Sequence, residues 1–179
     1  MGIKKPTQRG THSPSSLNDC HQTLDPVNSC STMDYPTEQA LVDGFIRNIR
    51  SPKTPWECLH ISTEFFYQRG KADIVVQNAE GDVIAFEAKL RKWRVALNQA
   101  YRNTCFANRS YVLLPKAVAL LASQYAAEFR RRQVGICYID LGRIHILEEA
   151  EAINPLQQWL SLRAIESMKP VMCDDCPTN

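Results

Sequence analysis

An α/β architecture, a central sheet with helices packed on its faces, is what the patterning of this chain predicts. Three observations lead there: short apolar runs with strand character alternate with segments of helical period, the strands outnumber the helices, and the order mixes the two throughout. The predicted order is α, three β, α, β, α, two β, α. At 179 residues with 44% hydrophobic content, the chain can bury one sizeable core.

Residues 1–33 are rich in Ser, Thr, Pro, Asn and Gln and poor in large apolar side chains, so a disordered tail is expected there. The folded domain is expected over 34–170, with a frayed tail over 171–179. The first helix starts near Thr37, where Leu41, Val42, Phe45, Ile46 and Ile49 recur at helical spacing, and the prolines of SPKTP end it. ECLHISTEFFYQ holds the first strand, and KADIVVQNAEGDVIAFEAKL supplies two more around Ala79-Glu80-Gly81.

Trp93, Leu97, Ala100, Tyr101 and Thr104 stripe a second helix over 92–107, followed by the strand SYVLLP. A third helix is expected over 116–133, then the strands VGICYID and RIHILEE about Leu141 and Gly142. Asn154 and Pro155, a capping residue and a first-turn proline, mark the start of the last helix.

The chain carries a formal charge of +2, too small to argue for a partner by itself. No run approaches the roughly eighteen apolar residues of a membrane span, and no apolar segment follows Lys4 and Lys5 as in a secretory signal, so no membrane partner and a cytoplasmic setting are expected. The seven cysteines are irregularly spaced, which favours reduced thiols, with Cys58, Cys105 and Cys137 as small core residues. Cys173 and Cys176 could join Cys20, His21 or Cys30 around zinc, although no second pair has ligand spacing. His60 and His145 alternate with apolar strand residues and read as structural or exposed.

The predicted hairpin contains an oddity, because its two apolar runs carry Asp73 and Glu87, and Lys89 follows. A three-residue loop closed by glycine in the left-handed region pairs Asp73 directly with Glu87, with Cβ atoms about 5 Å apart. Alternation then puts Lys89 on the face of Glu87, beside Val75, Val83 and Ala85, while Ile74, Val76, Ile84 and Phe86 cover the other face. Two carboxylates at that separation repel, and burying either costs several kcal/mol unless something positive compensates. An ion pair with Lys89 satisfies the requirement; so does a divalent cation held by carboxylate oxygens. Glu38, in the first turn of the first helix, projects from the edge that meets the sheet, and Glu64 and Glu57 are weaker candidates for a third acid.

An acid on the first helix, then Asp73, a hairpin, Glu87-Ala88-Lys89, a basic helix and the strand YVLLP resemble the restriction-endonuclease-like, or PD-(D/E)xK, nuclease superfamily over about residues 37–115. Ala72 stands where the family name has proline. The resemblance implies a restriction-endonuclease-like fold with an αβββαβ core, and a site for Mg2+, or Mn2+ in its place, built from Asp73, Glu87, the Ala88 carbonyl and Glu38. It also implies that Lys89 is the catalytic lysine and Gln99 a supporting residue, with Asn103 where one branch has tyrosine. The implied activity is hydrolysis of phosphodiester bonds by in-line attack of water, leaving a 5′ phosphate and a 3′ hydroxyl.

No acid occurs between Glu87 and Glu128, whereas Lys89, Arg91, Lys92, Arg94, Arg102, Arg109 and Lys116 do. Such a patch suits a phosphate backbone, so nucleic acid, and DNA first, is the expected partner, contacted by Arg91, Lys92, Arg94, Arg102 and Arg109. A solvated helix face is the alternative. Arg130, Arg131 and Arg132 complement a helix C-terminus, and Trp93 and Tyr101 fit core packing better than base stacking. Besides the enzyme, a catalytically silent binding module of the same fold is compatible, as is a homodimer or a subunit of a defence, repair or mobile-element complex whose partner supplies specificity.

Overall fold

The computed structural model describes residues 35–51, 54–68 and 70–171. The expectations placed on 1–33, on Cys20, His21 and Cys30, and on Cys173 and Cys176 lie outside them. Within the described residues the architecture is α/β, with a seven-stranded mixed sheet flanked by helices.

Helix α1 (Glu38–Ile49) begins where expected, because the Thr37 hydroxyl accepts from the Ala40 amide at 3.0 Å. Its buried stripe, Leu41, Val42, Phe45 and Ile49, follows the predicted spacing. Three antiparallel strands come next, β1 (Cys58–Tyr67), β2 (Gly70–Asn78) and β3 (Val83–Ala88). The β2–β3 ladder pairs Ile74 with Phe86, Val75 with Ala85, Val76 with Ile84 and Gln77 with Val83, which is the register the three-residue loop predicts. Gly81 sits at φ 88° in that loop, a conformation costly for a residue with a Cβ.

Helix α2 (Trp93–Asn103) carries the chain to β4 (Arg109–Leu113), which lies parallel to β3 and pairs Val112 with Glu87. The third predicted helix is two, α3 (Lys116–Ser123) and α4 (Ala126–Arg130), separated by a turn at Gln124 and Tyr125. Periodicity hides the break, since Ala119, Ala122 and Phe129 all enter one apolar cluster with Trp93 and Leu97. Strand β5 (Val134–Asp140) is parallel to β4, and β6 (Arg143–Glu148) returns antiparallel through Leu141 and Gly142, both at positive φ.

Helix α5 (Gln158–Glu166) starts later than Asn154 and Pro155 predict. The amides of Ile153 and Gln157 bond to the carbonyls of Asn108 and Cys105, holding that segment extended against the α2–β4 connection. The two-residue β7 (Lys169–Pro170), too short to show in the sequence pattern, pairs with β1 at the edge. The sheet order is β6-β5-β4-β3-β2-β1-β7.

The two faces bury different sets. Ile74, Val76, Ile84 and Phe86 pack under α1 with Trp56 and Tyr111, whereas Val75, Val83 and Ala85 pack with Phe106, Leu160 and Ala164 on the side of α2 and α5. All six residues of β3 are buried, as both faces of a central strand should be. No helix among the described residues is long and apolar enough to cross a membrane.

Candidate functional site

The candidate site lies at the C-terminal end of β3, where the β2–β3 ladder stops. Beyond Ile74 and Phe86 the ladder gives way to a side chain, the Asp73 carboxylate, which accepts from the Ala88 amide at 2.9 Å. Asp73 therefore closes the strand end and is held there; its other oxygen lies 3.8 Å from the Lys71 ammonium.

Glu87 points to the α2 face and is fully buried. Its Oε1 accepts from the Asn103 amide at 2.7 Å, and the Asn103 carbonyl oxygen in turn accepts from the Tyr67 hydroxyl at 2.6 Å. Its Oε2 is buried without a hydrogen-bond partner. Burial, and after it the nearby charge of Asp73, push the pKa of this carboxyl up to about 8 against the opposing influence of Asn103, Lys89 and Arg102.

Lys89 follows the strand end, its amide bonded to the Leu113 carbonyl of β4 at 3.1 Å. Its ammonium donates to Glu38 at 2.8 Å and to the Ala88 carbonyl at 3.0 Å. Alternation puts Lys89 on the face of Glu87, but beyond the last strand residue the side chain is released from that rule and turns toward α1. Glu38 thus reaches the site through Lys89, and among the described residues no three His, Cys, Asp or Glu side chains close on a common point.

Glu64 stands beside the site with a left-handed backbone, φ 58°, inside β1, and its carboxylate accepts from Lys71 at 2.7 Å. Glu57 lies at the opposite end of the sheet, its carbonyl accepting from Ala79. The side-chain carbonyl oxygen of Gln99, on α2, is buried without a hydrogen-bond partner, and the contact to Glu87 is made one turn later by Asn103.

The basic residues divide. Arg91, Lys92 and Arg102 are exposed near the site, and Arg102 is close enough to depress the proton affinity of Glu87. Arg94 is engaged within the fold, lying 4.0 Å from the Trp93 ring and 3.3 Å from Glu128. Arg109 is at the other end of β4, paired with Ile84 and close to Asp82 and Glu149, and Lys116 is held by Asp140 at 2.6 Å. Trp93 belongs to the core, and His145 stacks on Tyr138. Cys58, Cys105 and Cys137 are reduced, and burial pushes the Cys58 thiol up to about 12 and the Cys137 thiol higher still.

Sequence reasoning missed Asn103 as the partner of Glu87, and Tyr67 as the partner of Asn103. For Asn103 a signal existed: it follows Ala96 and Ala100 at helical spacing on the buried stripe of α2, and a polar group there requires a partner. Tyr67, the last residue of β1, carried no such mark.

No protein-family model and no curated protein matches the chain. Among solved structures the fold is similar to that of the SPO1766 protein of unknown function from Silicibacter pomeroyi, with TM-score 0.50 and 14% identity over 71% of this chain and 82% of that one. At such identity the likeness concerns the fold alone.

Proposed function

We propose that this chain is a magnesium-dependent nuclease of restriction-endonuclease-like fold, hydrolysing phosphodiester bonds of DNA. The observation that carries the reading is Glu87, a fully buried carboxyl group beside Asp73 with one oxygen anchored and the other unpartnered. Burying this carboxyl in its charged form is costly unless a cation draws on it. The order of α1, the antiparallel β1–β3, α2 and the parallel β4 supports the family resemblance.

The donor set fits a hard divalent cation, since carboxylate and carbonyl oxygens are what magnesium and manganese prefer. Asp73 and Glu87 would hold it together with the Ala88 carbonyl, which has a second lone pair besides the one Lys89 uses. When bound, such an ion polarises a phosphoryl oxygen and makes a neighbouring water more acidic. The chain supplies the rest. Asn103 fixes the rotation of the Glu87 carboxyl, and Asp73 is fixed by the Ala88 amide. The Lys89 ammonium, oriented by Glu38, positions the attacking water and offsets negative charge as it develops on the phosphate. Arg91, Lys92 and Arg102 attract the phosphate backbone.

Incubation of labelled DNA and RNA with purified protein and Mg2+ or Mn2+ tests this reading. Wild type should cut, and Glu87→Ala should abolish cutting while its circular dichroism stays native. Absence of cutting with every metal, or equal cutting by the variant, overturns it.

One observation favours a second reading, a module that binds nucleic acid without hydrolysing it: Lys89 is already satisfied by Glu38 and the Ala88 carbonyl. Calorimetric titration of Mg2+ separates the two. A site-specific heat that Asp73→Ala removes supports the enzyme; metal-independent, salt-sensitive DNA binding without such heat supports the module.

A further inference from the structure

Three surface cavities meet end to end along α1. The first, about 880 Å3, is lined by Glu38, Lys89, Leu90, Arg91, Lys92 and Val95. The second, about 320 Å3, shares Glu38 and adds Thr63, Glu64, Lys71 and Asp73. The third, about 650 Å3, shares Thr63 and continues past Ile46 and Ile61 to Arg50 and Lys169. Because Glu38 opens α1 and Arg50 caps its far end, the trough follows a helix of 12 residues, roughly 18 Å at the rise of an α-helix.

Charge along the trough is ordered. Exposed cations stand at both ends, Arg91 and Lys92 at one and Arg50 and Lys169 at the other, while the acids gather in the middle beside Lys71 and Lys89. An extended polyanion would be gripped at its ends, and its central phosphate would lie against the site that draws a cation. Between the charges the walls are apolar, with Leu90, Val95 and Val118 on one side and Ile46 and Ile61 on the other. Paired bases are hidden inside a duplex and have no use for such walls; unpaired bases do.

We propose that this trough holds one unpaired strand of nucleic acid across the Asp73 carboxylate that lines it, and that Arg50 and Lys169 are phosphate-binding residues for the part of the strand lying beyond the site from Lys89. The proposal rests on the nuclease reading for the position of the reacting phosphate, and it adds the substrate class and a second binding arm. Neither Arg50 nor Lys169 belongs to the basic run between Glu87 and Glu128, and β7, which carries Lys169, brings that residue to the β1 edge.

The test uses the full chain carrying Glu87→Gln, in chelator, so that affinity is read whether or not the protein hydrolyses anything. Fluorescence anisotropy of a labelled single-stranded oligonucleotide of about a dozen nucleotides, within the span such grooves engage, is followed at increasing salt. Arg50→Ala with Lys169→Ala should weaken binding about tenfold and flatten the logarithmic salt slope by about 1.4, the loss of two single-strand phosphate contacts. Arg91→Ala with Lys92→Ala should do the same, and a duplex of the same sequence should compete poorly.

Unchanged binding by the Arg50 and Lys169 variant overturns the second arm, even if wild type cuts. Equal competition by duplex, or by polyglutamate, overturns the unpaired strand as occupant. Binding that obeys these expectations in a chain that never cuts leaves the trough standing and removes the nuclease.

Discussion

At the hairpin end of the central strands, Arg109 lies 3.8 Å from Asp82 and 3.6 Å from Glu149, and the Tyr111 hydroxyl donates to the same Glu149. At the opposite end, Glu87 is buried with one oxygen satisfied and one not, while the nearest cations serve Glu38, Glu64 and Asp73. Both ends gather charge. In the first, opposite charges meet at a half-exposed surface and cancel, an arrangement worth under about 1 kcal/mol. In the second, an acid is forced into a place where its charge is penalised by several kcal/mol. A cluster of charges is therefore ordinary by itself, and an unmet requirement in a dry setting is what marks a candidate site for chemistry.

Replacing Glu87 should have the largest effect on that contrast. The folded protein holds a proton on Glu87 up to a pKa of about 8, against 4.5 for an ordinary glutamate, so the folded state binds more protons between those values. The stabilisation from this group is complete below pH 4.5 and is lost as pH rises through about 8. Melting in metal-free buffer should therefore show wild type falling relative to Glu87→Gln by on the order of 5 °C or more across that window. Parallel curves would mean that Glu87 is solvated. The same variant should lose the heat of Mg2+ binding entirely.

Asn103→Leu comes next. It leaves Glu87 Oε1 buried without its donor, costing about 2 kcal/mol of stability by denaturant titration and weakening Mn2+ binding about tenfold by calorimetry. Tyr67→Phe removes only the hydroxyl that steadies Asn103, so about 1 kcal/mol and a smaller loss of Mn2+ affinity are expected. The smallest effect belongs to the hairpin end, where Arg109→Ala should cost under about 1 kcal/mol and leave both the metal heat and the oligonucleotide affinity unchanged. A large loss of oligonucleotide affinity there would erase the distinction between the two ends.

The hairpin was the most legible part of the chain. Its loop, its register and the opposition of two acids follow from contiguous residues, and the β2–β3 ladder adopts that register. The α1 stripe was legible for the same reason, as was the two-residue turn at Leu141 and Gly142. The broken third helix was not, because its two segments bury residues in one cluster and preserve the period across the turn. The last helix begins late because distant backbone groups claim the amides of Ile153 and Gln157. The basic run was legible as a count but not as a surface, since Arg94, Arg109 and Lys116 face acids from other segments.

What the chain's own order determined is local: the helical stripes, the strand alternation, and a glycine turn that sets two carboxylates across from each other. These depend on dihedral preferences and spacing within a few residues, so any reader of the residues can recover them. Tertiary structure alone decided that Asn103, itself bonded by Tyr67, holds one oxygen of Glu87, that Glu38 restrains Lys89, and that Arg50 and Lys169 line a trough reaching the acids. Hydrogen bonds and ion pairs form between whichever groups the folded backbone brings within about 3 Å, and that proximity is set by the packing of segments far apart in the chain.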